Sequence, residues 1–207
     1  MSWRRNHPDL EPPELAGVHF ACRLISPGDE HALLPSERVA FQSSVIKVQR
    51  ASGAARIAAR KILSEMGNPA DCPLIKSQSG APVWPPGTVG SLAHDPTIAI
   101  AVVASSGAFS SVGVDIEPAE PLSPDLLPYI ATPRELSLSW SAHFGGRALF
   151  TIKEAIYKTV SPLGHGFLDH QDVEVDLEAG VGWTEGRTVK FRLKISSHII
   201  ALAFVSA

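Results

Sequence analysis

Cysteine is almost missing: Cys22 and Cys72 are the only two in 207 residues, and they form no CxxC pair. A disulfide framework is excluded, and free thiols in a reducing cytoplasm are expected. Positive charge is not in excess either. The formal net charge is -3, and Lys and Arg are not interleaved with aromatics, so nucleic acid and anionic membrane are not expected as partners. Long apolar runs are absent. The longest, Ile98 to Ala104, is far short of the ~20 residues that cross a bilayer. Met1 to Leu15 carries charges and prolines but no signal-peptide core, so a cytoplasmic protein is expected. The familiar catalytic templates are missing as well. There is no GxxxxGK phosphate loop, no strand-linked GxGxxG, no GxSxG elbow and no HExxH. The histidines are scattered, and His143, His165 and His170 have no metal-ligand spacing, which assigns them structural or surface roles.

What is present is an ordinary core-forming composition, 44% hydrophobic and 19% charged. Strand patterns fall at Val18 to Ile25 and at Ile98 to Val103, the latter after a turn-rich segment that leads into Gly90 to His94. Ser105-Ser106-Gly107 predicts a hairpin from that last strand into the one ending at Asp115. Helix patterns begin at Ser36, at Ser52 (to Met66, closed by Gly67) and at Arg147 (to Val160). Thr132-Pro133-Arg134-Glu135 is a capping box with proline at the first helical position. The tail alternates, Val189, Phe191, Leu193 and Ile195 inward against Lys190, Arg192 and Lys194 outward, before an apolar strand from Ile199 to Val205. Helices mixed with antiparallel strands predict an α+β fold. No internal repeat is visible.

The stretch Val112-Gly113-Val114-Asp115-Ile116-Glu117 carries the chemistry. Strand alternation sends Val112, Val114 and Ile116 to a core and places Asp115 and Glu117 on one opposite surface. Paired carboxylates repel unless a cation or proton relieves them, so the pair is a hard-metal site, a coupled acid/base pair, or a solvated strand end. On the last helix, Leu149, Ile152, Ala155, Ile156 and Thr159 gather on one side and Phe150, Lys153, Glu154, Tyr157 and Lys158 on the other. Glu154 and Lys158 are one turn apart, either a surface ion pair or a carboxylate and an ammonium offered to a cleft. Lys47, Arg50, Arg56, Arg60 and Lys61 by themselves read as a solvated face.

An ordered set of short motifs crosses these elements: Leu34-Pro35-x-Glu37, Arg56-x-x-Ala59-Arg60, Gly80-Ala81-Pro82-x-Trp84-Pro85, Gly90-Ser91-Leu92-x-His94, Gly113-x-Asp115-Ile116-Glu117 and Lys153-Glu154-Ala155-x-x-Lys158. In order and spacing it resembles the 4′-phosphopantetheinyl transferases of the surfactin-synthetase-activating type, closest to the enterobactin-synthase component branch. The resemblance spans about residues 34 to 168. It implies one unit over residues 1–207, made of two similar α+β halves, 1–108 and 109–207, related by a pseudo-twofold axis with the active site between them. It implies a monomer that moves the phosphopantetheine arm of coenzyme A to a serine of an apo acyl, peptidyl or aryl carrier protein, releasing adenosine 3′,5′-bisphosphate.

Residue by residue, the resemblance implies Mg²⁺, with Mn²⁺ as a substitute, on Asp115, Glu117 and Glu154. Glu154 or Glu117 would be the base and Lys158 a catalytic phosphate contact. Coenzyme A, the co-substrate, would meet Arg56, Lys76, His94, Lys153 and Lys158, with Lys47 and Arg50 supplying charge, so the basic cluster becomes a phosphate clamp. The chain departs from the pattern at Ala93, where a hydroxyl residue is usual, at Phe150, where Trp is common, and at Asp95, an acid unfavourable beside a phosphate unless it points away. The same residues leave two other readings open: a Mg²⁺-dependent phosphohydrolase and a non-catalytic coenzyme A-binding module.

Overall fold

A computed structural model describes residues 10–137, 145–164, 166, 168–184 and 186–207. Among the described residues eight strands are present: β1 (Val18–Leu24), β2 (Thr88–His94), β3 (Ile98–Ser105), β4 (Phe109–Pro118), β5 (Glu174–Asp176), β6 (Val181–Thr184), β7 (Arg187–Ile195) and β8 (His198–Ser206). The helices are α1 (Pro35–Arg38), α2 (Ile46–Glu65), α3 (Leu127–Ile130), α4 (Pro133–Ser137) and α5 (Gly145–Val160). The class is α+β, as expected.

The strands form two antiparallel sheets, ordered β1-β3-β2 and β4-β8-β7-β6-β5. β3 is the centre of the first sheet and β8 an inner strand of the second, between β4 and β7, and their side chains divide by size. Ile98, Ile100 and Val102 of β3 meet Ile200, Leu202 and Phe204 of β8 and Val112, Val114 and Ile116 of β4 in a core between the sheets. The opposite faces carry smaller residues. Ala99, Ala101 and Val103 receive α2, while Ala201 and Ala203 receive α5. A helix settles closely where alanine lines the sheet, and bulky side chains fill the wider gap between sheets. The layering is therefore helix, sheet, sheet, helix.

The predicted hairpin from β3 into β4 does not form. Both edges of β3 are occupied, by β1 and β2, so β4 has no free ladder to join and begins the second sheet. The intervening turn is tied to both sides: Ser106 N–H donates to Gly87 O, and Ala207 N–H donates to Ala108 O. A turn signal marks where the chain bends, not which strand it will pair with. The helix predicted from Ser36 also differs. Leu34, not Ser36, precedes the first turn, with Pro35 at its first position, and α1 ends after Arg38. The Gln49 amide donates to Phe41 O and Ser44 O, closing that break before α2 starts at Ile46, earlier than Ser52. Gly67, at φ 89°, ends the helix as expected.

A repeat does exist, in topology. Strand, Pro-x-Glu turn, long helix and a hairpin whose second strand lies between its hairpin partner and the first strand occur once as β1, α1, α2, β2 and β3. They occur again as β4, α4, α5, β7 and β8. At its heart sits a matched pair of carboxylates. Glu37 Oε2 accepts from Leu34 N and Arg60 Nη2, and its Oε1 from Leu74 N. Glu135 Oε2 accepts from Thr132 N and Lys153 Nζ, and its Oε1 from Val175 N. Both side chains are fully buried.

Gly113 sets the approach of α5 to β4. A Cβ there would lie 2.2 Å from Ala155 O and 2.4 Å from Thr159 Oγ1. Gly113→Ala is expected to destabilise by roughly 1–3 kcal/mol in urea unfolding, because the helix backbone must move away. Gly107→Ala, whose Cβ has no neighbour nearer than 3.6 Å, is the control and should stay within about 0.5 kcal/mol of the parent.

Candidate active site

The strand register places Asp115 and Glu117 on the face of β4 that α5 covers, as the alternation predicts, while Val112, Val114 and Ile116 fill the core. From α5, Glu154 and Lys158 face the same place. Lys158 Nζ donates to Asp115 Oδ1 at 2.7 Å. The acids do not share one partner. Arg147 Nη1 donates to Glu117 Oε2 at 2.9 Å, and the His170 Nε2 lies 2.9 Å from Glu154 Oε1. Burial pushes the Asp115 carboxyl up to about 6; Lys158 opposes this, and the Glu154 and Glu117 charges add to it. The Glu154 carboxyl is held below its ordinary value, chiefly by the His170 hydrogen bond.

Among the described residues no three His, Cys, Asp or Glu side chains converge closely enough to hold a metal ion as they stand. In kind, the acids fit one. They are hard oxygen donors, and Asp115 Oδ2 is buried without a hydrogen-bond partner, leaving an unused anionic oxygen between the two other carboxylates' fields. Beside them opens a cleft of about 260 Å³ between the first sheet and α5, lined by Trp84, Ser91, Leu92, Tyr157 and Lys158 among others. A smaller pocket of about 150 Å³ on the other side of Tyr157 is lined by Glu154, His170 and Leu168.

The predicted phosphate clamp divides. His94 is exposed at the end of β2. Partial desolvation lowers its imidazole below the usual value, Asp95 opposing, and the Lys158 and Lys47 charges lower it further. His94, Lys158 and Lys47 therefore share one electrostatic neighbourhood. Lys47 and Lys76 are exposed, with Lys76 Nζ 4.3 Å from the centre of the Phe41 ring. Arg50 has its Nε on Glu30 Oε2. Two members are buried. Arg56 is 3% exposed, gives Nε and Nη2 to Leu74 O and Nη1 to Ser52 O, and lies beside Glu37. Lys153 is 1% exposed and spends its ammonium on Glu135, Ile130 O and His170 O. Three acceptors saturate the Lys153 ammonium, so it is not presented to a phosphate, whereas Arg56 keeps two of its five N–H donors beyond those three.

Asp95 points away from the cleft, as a phosphate site requires. Its Oδ1 accepts from Thr97 N, Thr97 Oγ1 and Ile98 N, closing the turn between β2 and β3, and its Oδ2 is 2.8 Å from His198 Nε2 at the start of β8. Sequence reasoning missed Arg147 and His198, gave His170 a structural or surface role, and took the buried Glu37 and Glu135 only as a motif residue and a helix cap. Proline two residues before Glu precedes each of the last two, but it also occurs at Pro12 and Pro118, so it does not single them out. His143 and His165 lie outside the described residues.

Comparison with known proteins agrees along the chain. The sequence model of the 4′-phosphopantetheinyl transferase N-terminal domain matches residues 36–104, and that of the 4′-phosphopantetheinyl transferase superfamily matches residues 111–203. The chain is 37% identical over 166 residues to 4′-phosphopantetheinyl transferase Npt of Nocardia iowensis, covering 79% of this chain and 74% of that protein. It is 36% identical to 4′-phosphopantetheinyl transferase PptT of Mycobacterium tuberculosis, with 75% and 70% covered, and 32% identical to 4′-phosphopantetheinyl transferase Svp of Streptomyces mobaraensis, with 76% and 66% covered.

The Asp95 contacts carry a pH prediction. Burial opposes its ionisation, but His198 and the turn hydrogen bonds win and hold the carboxyl at about 2, below its ordinary 3.8. A depressed acid contributes stability that is complete above the ordinary value and lost as pH falls through the folded one. Asp95→Asn is expected to cost about 2 kcal/mol at neutral pH and to flatten the loss of stability between about pH 4 and pH 2, read from urea midpoints across that range.

Proposed function

Because the chain belongs to the 4′-phosphopantetheinyl transferase superfamily, we propose that it transfers the phosphopantetheine arm of coenzyme A to a serine hydroxyl of an apo carrier protein, as a cytoplasmic monomer of the surfactin-synthetase-activating type. We read residues 1–108 and 109–207 as its two halves, acting as one unit. The observation that carries this reading is the meeting of Asp115 and Glu117 from β4 with Glu154 and Lys158 from α5 beside the cleft.

Asp115, Glu117 and Glu154 would hold Mg²⁺, which when bound offsets the charge of the pyrophosphate. Lys158 changes partner, giving up Asp115 Oδ1 and donating to a phosphate oxygen of coenzyme A. Lys47 and Lys76 add positive charge for the remaining phosphate, and His94 a ring N–H donor. Glu154, ionised at neutral pH because His170 stabilises its charge, accepts the proton of the carrier serine. The serine oxygen forms its bond to phosphorus as the bond to the leaving phosphate breaks, giving holo-carrier and adenosine 3′,5′-bisphosphate. Glu117 is the less suited base, since Arg147 already claims its Oε2.

The decisive test weighs an apo carrier after incubation with the protein, coenzyme A and Mg²⁺. A gain of one phosphopantetheine mass supports the transferase. Coenzyme A breakdown without a carrier would point to a hydrolase, and binding without either change to a non-catalytic module. Asp115→Ala is expected to lower transfer by a hundredfold or more, on the order of several kcal/mol of lost transition-state stabilisation, while circular dichroism stays unchanged; wild-type activity in that variant would remove Asp115 from the metal site.

A further inference from the structure

We propose that His170 is a positioning residue for Glu154, holding that carboxylate in the orientation the transfer reaction uses; this rests on the reading of Glu154 given above. The ring is fixed from several directions. It stacks on Phe150, with centroids 5.3 Å apart and planes at 29°. Its own carbonyl accepts from the buried Lys153 ammonium at 2.9 Å. The turn that carries it, His170–Asp172, is closed by Asp169 N–H on Asp172 Oδ2 and by the Gln171 amide on Pro128 O. With backbone and ring face both set, the remaining polar edge reaches Glu154 Oε1 at 2.9 Å. The second oxygen of Glu154 accepts no hydrogen bond among the described residues. Its carboxylate and the His170 ring line the same 150 Å³ pocket.

The chain of support runs from the core to the site. Glu135 is fully buried and holds Lys153; Lys153 holds the His170 carbonyl; the His170 ring holds Glu154. The Lys153-Glu154 pair in the sequence thus acts as anchor and working acid, one residue facing the core and the next facing the pocket. Outer hydrogen-bond partners of this kind typically change metal affinity or rate by about 10–100-fold when removed.

The experiment compares His170→Ala, His170→Gln, Glu154→Gln and the double variant Glu154→Gln/His170→Ala. It measures kcat and KM for coenzyme A in carrier modification, Mn²⁺ affinity by calorimetry with coenzyme A present, and melting temperature. The His170→Ala variant is expected to lose about 10–100-fold in kcat and to bind Mn²⁺ correspondingly more weakly, with KM for coenzyme A within about twofold of wild type. The Gln variant keeps a donor at similar reach and is expected to recover most of the loss, and the double variant to be no slower than Glu154→Gln alone. Wild-type kcat and Mn²⁺ affinity in His170→Ala, or no recovery with Gln, would overturn the proposal while leaving Glu154 in place. Wild-type transfer by Glu154→Gln would instead overturn the assignment of Glu154 and this proposal with it.

Discussion

A carboxylate with no access to water must find its cation and its hydrogen-bond donors inside the protein, and Glu37 and Glu135 both do so in the same way. Each takes the backbone N–H of the residue three before it, a backbone N–H from a distant segment, and a cation from the long helix of its own half. Removing one partner of such a buried group costs roughly 3–5 kcal/mol, because the other is left charged and unpaired. That penalty ties a short turn, a long helix and a later strand or loop together at one point. The two points, one per sheet, are the structural repeat that the sequence conceals.

This arrangement separates two kinds of cation. Arg56, Arg60 and Lys153 serve the buried carboxylates and are closed to solvent. Lys158 and Arg147 serve the carboxylates beside the cleft and remain partly exposed, at 28% and 22%. Surface-accessible pairs of this sort exchange partners at little net cost, whereas buried ones do not. Lys158 is partly exposed but its partner Asp115 is buried, so a phosphate that recruits Lys158 leaves Asp115 in need of another cation. Through Lys153 the Glu135 node also reaches the site itself, since it fixes the turn that presents His170.

The sequence revealed what depends on local pattern. The alternation at Val112 to Glu117 predicted which side chains enter the core and which face α5, and the Thr132 capping box formed with Glu135 as read. Partner choice was hidden. The β3 turn looked like a hairpin because nothing local records that β1 and β2 occupy both edges of β3. Arg56 and Lys153 looked like surface cations because their acceptors, Glu37 and Glu135, lie 19 and 18 positions away in sequence and far from any helical spacing. Asp95 looked hazardous beside a phosphate because its partner His198 belongs to the other sheet.

The measurement that bears most directly on the separation of structural from ligand-binding cations is the coenzyme A dissociation constant of the Glu135→Gln/Lys153→Met double variant. Removing both charges together avoids an unpaired buried ion, so the fold is expected to survive. If Lys153 holds only Glu135 and the Ile130 and His170 carbonyls and touches no ligand, calorimetry will give an affinity for coenzyme A within about twofold of wild type. A folded double variant whose affinity has dropped by about tenfold or more, a loss of roughly 1.4 kcal/mol, would place Lys153 on the ligand and contradict the account.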